Sequence, residues 1–549
     1  PNFRQGAAVV LYARNTDADN ATDKMVFKGN IEHISDDEVR IRLRATQQNA
    51  GVLPADSRYA IEHDHMDTSF RSMYLGLSAF LSATQRRRDL LLGQRLPESD
   101  PSFDEKIATA PDDFSRIIMK ARAVRDYFLL VGPPGTGKTS RALRGMVEAF
   151  YGEGKQVLLL SYTNRAVDEI SKALAAITPE IDFIRIGSEL SCDEAFRLHL
   201  MENVLEACST RRQVQERIAR CRVFVGTVAT LSAKTELFRL KTFDVAIVDE
   251  ATQILEPQLL GLRCARNPAG EDAIGKFILI GDHKQLPAVV LQSSVQSEVG
   301  DEALRAVGLY NLKDSLFERL YRNLLQKPGF ALPFFDMLCR QGRMNVEVAA
   351  FPNRAFYGGL LQPVGLPHQQ GELILSPELC DSEFAPLLTR RVAFLPSEAE
   401  PSVQSAKVNH SEARIVARLA EAVYRQYAGS SGFDASGTLG IITPYRSQIA
   451  LIKKELAAMC VPALNDILVD TVERFQGSER DVIIYSFCVN RAYQLKFLAN
   501  MTEENGVPID RKLNVALTRA RKQMFMTGVV SLLKLNPVYS ELLKSMGYE

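Results

Sequence analysis

Apolar and polar positions alternate in short runs over residues 1–60, as in Ala8-Val9-Val10-Leu11-Tyr12 and Val39-Arg40-Ile41-Arg42-Leu43, with a Gly-, Asn- and Asp-containing stretch between them. A two-residue period predicts half-buried strands, and runs this short predict a small antiparallel β-barrel. From Thr68 the period lengthens. Met73, Leu77, Phe80 and Leu81 fall at helical spacing and lead into Arg86-Arg87-Arg88, which predicts a stalk helix with a basic end. The stretch from Ser99 to Phe114, rich in Pro and Asp, reads as a connector into the next domain.

Beyond the connector, runs of buried-strand type recur between helical stretches at Tyr127 to Val131, Val157 to Ser161, Val223 to Gly226, Val245 to Asp249 and Phe277 to Gly281. Alternating β and α elements imply a parallel sheet covered by helices on both faces. After a helical region from about Leu304 to Leu325 the pattern repeats, with strands at Val392 to Leu395, Leu439 to Thr443, Ile467 to Val469, Val482 to Phe487 and Met524 to Gly528. A chain of 549 residues also exceeds what one core can organise. The predicted division is an accessory barrel with its stalk helix over 1–98, a first α/β lobe over 99–325 and a second over 326–549. The first lobe carries a small helical insertion at about 180–222.

Composition changes this picture little: 46% hydrophobic and 24% charged residues are ordinary for a globular protein. Lys plus Arg and Asp plus Glu are balanced at 66 each, so any basic groove for a polyanion must be local. The 8 cysteines include no C-x-x-C pair and no zinc-like spacing with His. No apolar run has the length of a membrane span and no signal segment opens the chain, so the expectation is a soluble protein without a membrane partner, cytoplasmic or, in a eukaryote, nuclear. The chain starts at Pro1 rather than Met and enters strand-like sequence at once, which suggests further domains of a longer polypeptide upstream.

The candidate chemistry begins at Gly132-Pro133-Pro134-Gly135-Thr136-Gly137-Lys138-Thr139-Ser140, between a predicted strand and a predicted helix. This is the context that a phosphate-binding loop needs: glycines let backbone N–H groups converge on phosphates, and the helix N-terminus adds its dipole. Lys138 then suits the β- and γ-phosphates, and the Thr139 hydroxyl suits Mg²⁺. The run Val245-Ala246-Ile247-Val248 ends in Asp249-Glu250, two carboxylates at a strand end, which point in different directions and can take different roles. Asp249 suits the Mg²⁺ shell, and Glu250 suits polarising an attacking water.

With Asp249-Glu250-Ala251-Thr252 and Gly281-Asp282-His283-Lys284-Gln285-Leu286-Pro287 added to the phosphate loop, the chain resembles the superfamily-one helicases through nearly its whole length. It most resembles the branch that holds the nonsense-mediated-decay helicase and the helicase half of the Okazaki-flap nuclease-helicase. The resemblance implies two RecA-like lobes sharing one ATP site, ATP and Mg²⁺ as cofactors, and 5′-to-3′ movement on single-stranded DNA or RNA. It implies that Gln285 senses the γ-phosphate. Gln341-Gly342-Arg343 and the segment Asn514 to Arg521 resemble those that send arginines to the nucleotide; Arg343 and Arg519 take that role, and Arg521 a structural one. Gln476, Gly477 and Glu479 would face the phosphates, while Thr471 at the start of the same segment would face nucleic acid.

By the same resemblance Tyr162, Thr163, Asn164, Thr227, Thr230, Thr443, Pro444 and Tyr445 stand on the nucleic-acid side, where small polar side chains at strand ends contact phosphate and sugar without reading sequence. Arg211, Arg212, Arg217 and Arg220 lie near the strand path or simply on a solvated helix. His63, Asp64, His65 and Asp67 resemble metal ligands only in composition and read as a polar strand-to-helix junction. Two departures from the family touch the base: Gly342 stands where many relatives carry a stacking aromatic, and Asp113 to Lys120 lacks the Gln that reads the adenine edge. Tyr127, Phe128 or Tyr445 could supply a stacking face instead. Two other functions stay open: a nucleic-acid-stimulated ATPase switch or clamp that does not unwind, and a non-catalytic nucleic-acid-binding scaffold.

Overall fold

The structure is a computed structural model that describes all residues except 1–2, 4, 36, 46, 48, 65–67, 291, 294, 326–332, 381, 402–404, 431, 505 and 549. The chain forms two compact units that do not follow sequence order. One comprises Pro1–Arg95, Val147–Val248 and Glu256–Phe277, and the other Leu96–Met146, Asp249–Leu255 and Ile278–Glu549. No helix among the described residues is long and apolar enough to cross a membrane.

In the first unit, the N-terminal strands pair antiparallel in the order Val39–Leu43, Val26–Ile34, Ala8–Ala13, Tyr59–His63. Phe27 and Ile31, four residues apart on one face, are buried with Val9 and Tyr12. Among the described residues no ladder joins the two outer strands, so the expected barrel is here an open four-stranded sheet. The stalk helix is Thr68–Leu81, and it crosses Glu256–Arg263 closely: a Cβ on Gly76 would lie 2.5 Å from the Pro257 carbonyl oxygen. The expected basic end is a correction. Thr84 accepts a hydrogen bond from Arg87 N and starts a separate helix, Gln85–Leu91, on which Arg87 is buried against Asp272. The side chains of Phe70, Tyr74, Leu77 and Leu81 remain exposed.

The same unit holds a parallel ladder in the order Phe243–Val248, Val157–Ser161, Val223–Thr227, Phe183–Ile186. The last of these is a strand at the start of the stretch expected to hold a small helical insertion. Four buried residues there form a strand, because Arg185 satisfies its charge inside by pairing with Asp168, leaving the flanking apolar side chains free to pack. Helices follow at Met201–Leu205 and Arg211–Arg220, the second started by a capping box from Thr210 and Gln213.

In the second unit, Tyr127–Val131 is buried along its whole length and runs parallel to Phe335–Met337. A five-stranded, all-parallel sheet follows in the order Val392–Pro396, Ala520–Gly528, Arg480–Ser486, Leu439–Ile442, Leu468–Asp470. Alternate residues feed two cores. Ile441, Val482, Ile484 and Phe525 pack with helices His410–Ala428 and Arg446–Ala458, and Ile442, Ile483, Met524 and Met526 with Val346–Tyr357, Arg511–Leu517 and Pro537–Ser545. At about 1.5–3 kcal/mol for each large apolar side chain buried, these two layers fix the strand ends that carry the chemistry.

Candidate nucleotide site

The phosphate loop, the acidic pair, Gln285, Arg343 and Arg519 all belong to the second compact unit. Strand Tyr127–Val131 delivers the chain to Gly132, where a Cβ would stand 2.0 Å from Lys138 Cγ, so the loop wraps the lysine stem with no space for a side chain. Gly135 and Gly137 sit at φ 72° and 78°, the left-handed region that an L side chain resists. Thr136 ties the curve by donating from Oγ1 to the Pro133 carbonyl at 2.7 Å. The helix that follows opens with a wide π turn, Lys138–Leu143, before continuing as Arg144–Gly152; such turns gather at functional sites.

Asp249 Oδ2 accepts a 2.5 Å hydrogen bond from Thr139 Oγ1, and Glu250 Oε1 lies 3.2 Å from Lys138 Nζ. The two acids diverge because Glu250 adopts φ 54°, ψ 38°, a left-handed conformation that costs a non-glycine residue about 1–3 kcal/mol. Its other oxygen accepts from Gln253 Nε2 at 3.1 Å. Burial would raise the Glu250 carboxyl, but Lys138, through its charge and hydrogen bond, together with Arg519 and the contact from Gln253, outweighs it and holds the group below its ordinary value. Asp249 is pushed up instead, by burial first and by the Glu250 charge second. Burial also works against the Lys138 charge, and Glu250, Asp249 and Asp282 override it, so the ammonium is held above its ordinary value.

Gln285 is buried, donates from Nε2 to Asp282 Oδ2 at 2.7 Å, and accepts at Oε1 from Arg519 Nη2 at 3.2 Å. Arg519 ends the segment that begins with helix Arg511–Leu517. Its Nε donates to the Val515 carbonyl and its Nη1 to that of Ser478, so backbone acceptors aim the guanidinium. Burial, then the neighbouring Arg343 charge, lowers Arg519 to about 9, which leaves it cationic at neutral pH. Arg343 approaches the phosphate loop directly: Gly342 N donates to the Gly135 carbonyl at 2.8 Å, and a Cβ on Gly135 would lie 2.4 Å from Arg343 Cβ. Glu479, expected among the phosphates, takes Arg343 Nε at 2.5 Å. Arg521 reaches Asp481 at 3.6 Å and Glu479 at 3.9 Å, a bracing contact. Gly477 is exposed at φ 78°. Gln476 carries a buried Nε2 with no hydrogen-bond partner among the described residues.

Three residues of this cluster escaped sequence reasoning. Asp282, inside the segment already singled out, is the shared acceptor of Gln285 and of the Tyr357 hydroxyl at 2.7 Å. Asn514 donates to the Tyr357 oxygen at 2.8 Å and to the Lys284 carbonyl at 2.7 Å. Tyr357 comes from a helix with no motif of its own, and only its place on the buried face of Val346–Tyr357 could have drawn notice.

The residues expected on the nucleic-acid side fall in both units. In the first, Thr163 accepts from Ala166 N and Thr227 from Thr230 N, so both hydroxyls cap helices; the Thr227 and Thr230 hydroxyls also meet at 2.8 Å. Thr163 is exposed, and Tyr162 and Asn164 are half-buried beside it. In the second, Pro444, Tyr445 and Thr471 are half-buried at strand ends, and Tyr445 Oη accepts from Gln494 Nε2 at 3.3 Å. Thr443 is fully buried with its hydroxyl unpartnered among the described residues, so its side chain does not reach a surface.

On the insertion, Arg217 pairs with Asp182, Arg212 with Glu216, and Arg211 and Arg220 are exposed. Asp64 is engaged by Arg44 at 3.2 Å and Lys28 at 3.6 Å and the His63 ring packs on Phe3, a polar junction as expected; His65 and Asp67 lie outside the described residues.

Thr139 and Asp249 offer one hydroxyl and one carboxylate oxygen. That fits Mg²⁺, which prefers hard oxygens and completes its shell with water and substrate phosphate. The described residues contain no group of three or more His, Cys, Asp or Glu that could hold a metal by themselves.

Two family models, each described as an AAA domain, match the chain, one over residues 312–531 and the other over 112–222 and 206–293. The DNA replication ATP-dependent helicase/nuclease DNA2 of Bos taurus is 28% identical over 558 residues, covering 95% of this chain and 48% of its own. The DNA replication ATP-dependent helicase/nuclease JHS1 of Arabidopsis thaliana is 31% identical over 427 residues, covering 76% of this chain and 28% of its own. This chain thus spans about half, or less, of the length of the curated relatives it matches. Among solved structures, arterivirus nonstructural protein 10 (helicase) aligns over 75% of this chain and 61% of its own, with 14% identity and a TM-score of 0.34.

Proposed function

We propose that this chain, which belongs to the superfamily-one helicases in the branch of the nonsense-mediated-decay and Okazaki-flap helicases, is a motor that couples ATP hydrolysis to 5′-to-3′ movement along single-stranded nucleic acid. One observation carries the reading: Arg519 meets Gln285, and Arg343 meets the phosphate loop, so residues from opposite ends of the sequence converge on Lys138 and Glu250. Such convergence lets hydrolysis and relative movement depend on each other. The proposed lobes are 99–325 and 326–549, with 1–98 as the accessory part.

In this reading the loop from Gly132 to Ser140 grips the triphosphate, with Lys138 as its charged anchor. Thr139 and Asp249 would hold Mg²⁺, which when bound neutralises phosphate charge. Glu250, kept ionised beside Lys138, orients and deprotonates the attacking water. Gln285 senses the γ-phosphate, and Arg343 and Arg519 stabilise the charge that develops on the transferring group. Gln476 offers its unpaired donor to the nucleotide. The strand ends at Tyr162 to Asn164, Thr227, Thr230, Pro444, Tyr445 and Thr471 would bear on the strand, Thr443 through its backbone. The curated relatives carry DNA replication in their names, so DNA is tested first.

The test is ATP turnover and strand separation with single-stranded DNA, single-stranded RNA and tailed duplexes. Turnover is expected to rise with single strands, unwinding to need a 5′ tail, and binding to weaken as salt rises. Unwinding from 3′ tails alone overturns the direction, stimulation without any unwinding supports the clamp, and no stimulation overturns the motor.

Base selectivity is expected to be weak, with GTP supporting kcat/KM within about tenfold of ATP, roughly 1.4 kcal/mol. Val364 and Leu366 each lie 3.3 Å from where a Gly342 Cβ would be, so a larger side chain at 342 would press on both. Tyr127 and Phe128 are fully buried, and the Phe114 ring is covered by Arg141 at 4.1 Å. A site that grips only the triphosphate has little means to reject another base. Steady-state kinetics with ATP, GTP, CTP and UTP check this; a preference for ATP above about a hundredfold would reveal an adenine pocket.

A further inference from the structure

Between the nucleic-acid edge and the segment that ends in Arg519, the chain makes a hairpin of strands Met501–Glu504 and Val507–Asp510, which pair Met501 with Asp510 and Glu504 with Val507. Its base is pinned by one buried carboxylate: Asp510 accepts from Asn500 N, from Lys512 N and Leu513 N at the start of the next helix, and from the Tyr539 hydroxyl at 2.7 Å. Asp510 thus ties the base of the hairpin to the start of helix Arg511–Leu517.

The far end of the hairpin reaches the Gly281–Pro287 segment. Glu504 lies 2.8 Å from Lys284 Nζ, and both its oxygens stand 3.3 Å from His283 Nε2. Burial opposes its charge, but these two partners override it and hold the carboxyl at about 2. From the opposite side Tyr321 packs on the His283 ring at 4.6 Å, and Asn514 takes the Lys284 carbonyl. The next residue is Gln285, which faces Asp282 and Arg519.

The hairpin's other neighbour is the nucleic-acid edge. Strand Arg480–Ser486 leads through Cys488 to Gln494, whose Nε2 bonds both Tyr445 Oη and the Cys488 carbonyl at 3.3 Å, and short helix Leu495–Leu498 then carries the chain into the hairpin.

We propose that Glu504 is a positioning residue, and that the Met501–Asp510 hairpin transmits single-strand binding at Tyr445 to the nucleotide sensor Gln285 through the Glu504–Lys284–His283 cluster. This rests on the reading of the chain as a strand-stimulated ATPase. A displacement at Tyr445 reaches Gln494 through their hydrogen bond, follows the backbone from there to Glu504, and passes into the two residues that precede Gln285. A charge-swap cycle tests this coupling.

ATP turnover is measured for the full chain with and without saturating oligo(dT), together with oligo(dT) affinity by anisotropy and Tm. Glu504→Lys and Lys284→Glu are each expected to cut the stimulation ratio about tenfold, within the usual span of coupling, while unstimulated turnover and oligo(dT) affinity stay within about twofold of wild type. The double variant Glu504→Lys/Lys284→Glu is expected to recover most of the ratio. Glu504→Gln, which keeps the shape and removes the charge, repeats the loss without loss of Tm.

A ratio unchanged in Glu504→Gln overturns the proposal. So does unstimulated turnover that falls in step with stimulated turnover, or a double variant that folds but recovers nothing. A wild-type chain that oligo(dT) does not stimulate overturns the strand-stimulated reading, and this proposal with it; a stimulated wild type with unaffected variants overturns this proposal alone.

Discussion

Arg519→Ala is expected to lower ATP turnover by roughly 10³–10⁵-fold, the scale on which an arginine finger acts, and to leave nucleotide affinity within about tenfold, since the contact strengthens only as charge develops. The guanidinium is already aimed: Val515 and Ser478 carbonyls hold two of its nitrogens, so little has to be reorganised when phosphoryl charge appears. Arg519→Lys keeps the charge but not the planar fork, and is expected to recover only a small part of the loss. Arg343→Ala should fall in the same direction by less, because Arg343 is tied to the partly exposed Glu479 rather than to Gln285. Removing a buried guanidinium leaves acceptors unpaired, so the control is Tm. Turnover lost in proportion to a fall in Tm, with nucleotide affinity lost alongside, would show a folding role and no finger.

Glu250→Gln is expected to reduce turnover by roughly 10²–10⁴-fold, the usual worth of a general base, while nucleotide still binds. Lys138→Ala should instead lose binding first. The contrast follows from the pair they form: Lys138 keeps Glu250 ionised, so each residue prepares the other, yet only the lysine has a charge to offer a phosphate. Glutamine preserves the size, the contact from Gln253 and the left-handed backbone, but it takes the nearest counter-charge from the buried Lys138 ammonium, so Tm should fall and the variant is compared with wild type well below its Tm. Fluorescent-nucleotide binding and single-turnover hydrolysis separate the two variants. Equal and severe loss of affinity in both would falsify the general-base role of Glu250.

Much of this site could be read from sequence because its parts are local. A buried strand such as Tyr127–Val131, a glycine loop and a Lys-Thr pair lie within a few residues of each other, and hydrophobic runs mark strands wherever both faces of a sheet are covered. Strand Phe183–Ile186 escaped because it is short and has Arg185 in its middle, whose partner Asp168 is visible only in three dimensions. Open versus closed pairing of the N-terminal sheet is not a property of any one strand, so alternation could not decide it. Tyr357 and Asn514 escaped for another reason. They act through contacts between distant segments: Tyr357 stands in no unusual local pattern, and Asn514 opens a segment singled out only for its arginines. The Met501–Asp510 hairpin has strands of only four residues each, too short for a clear periodic signal.

Gly135 answers to two unrelated demands. Its φ of 72° asks for a residue without a Cβ, and so does the Arg343 side chain 2.4 Å from where that Cβ would point. Relaxing either one alone gains nothing. A substitution that tolerated the left-handed turn would still drive its side chain into Arg343, and an Arg343 drawn aside would still leave a strained backbone and break the Gly342–Gly135 hydrogen bond. Position 135 is thus closed to single-step change from two directions, and a change at 342–343 would clear the space without easing the backbone.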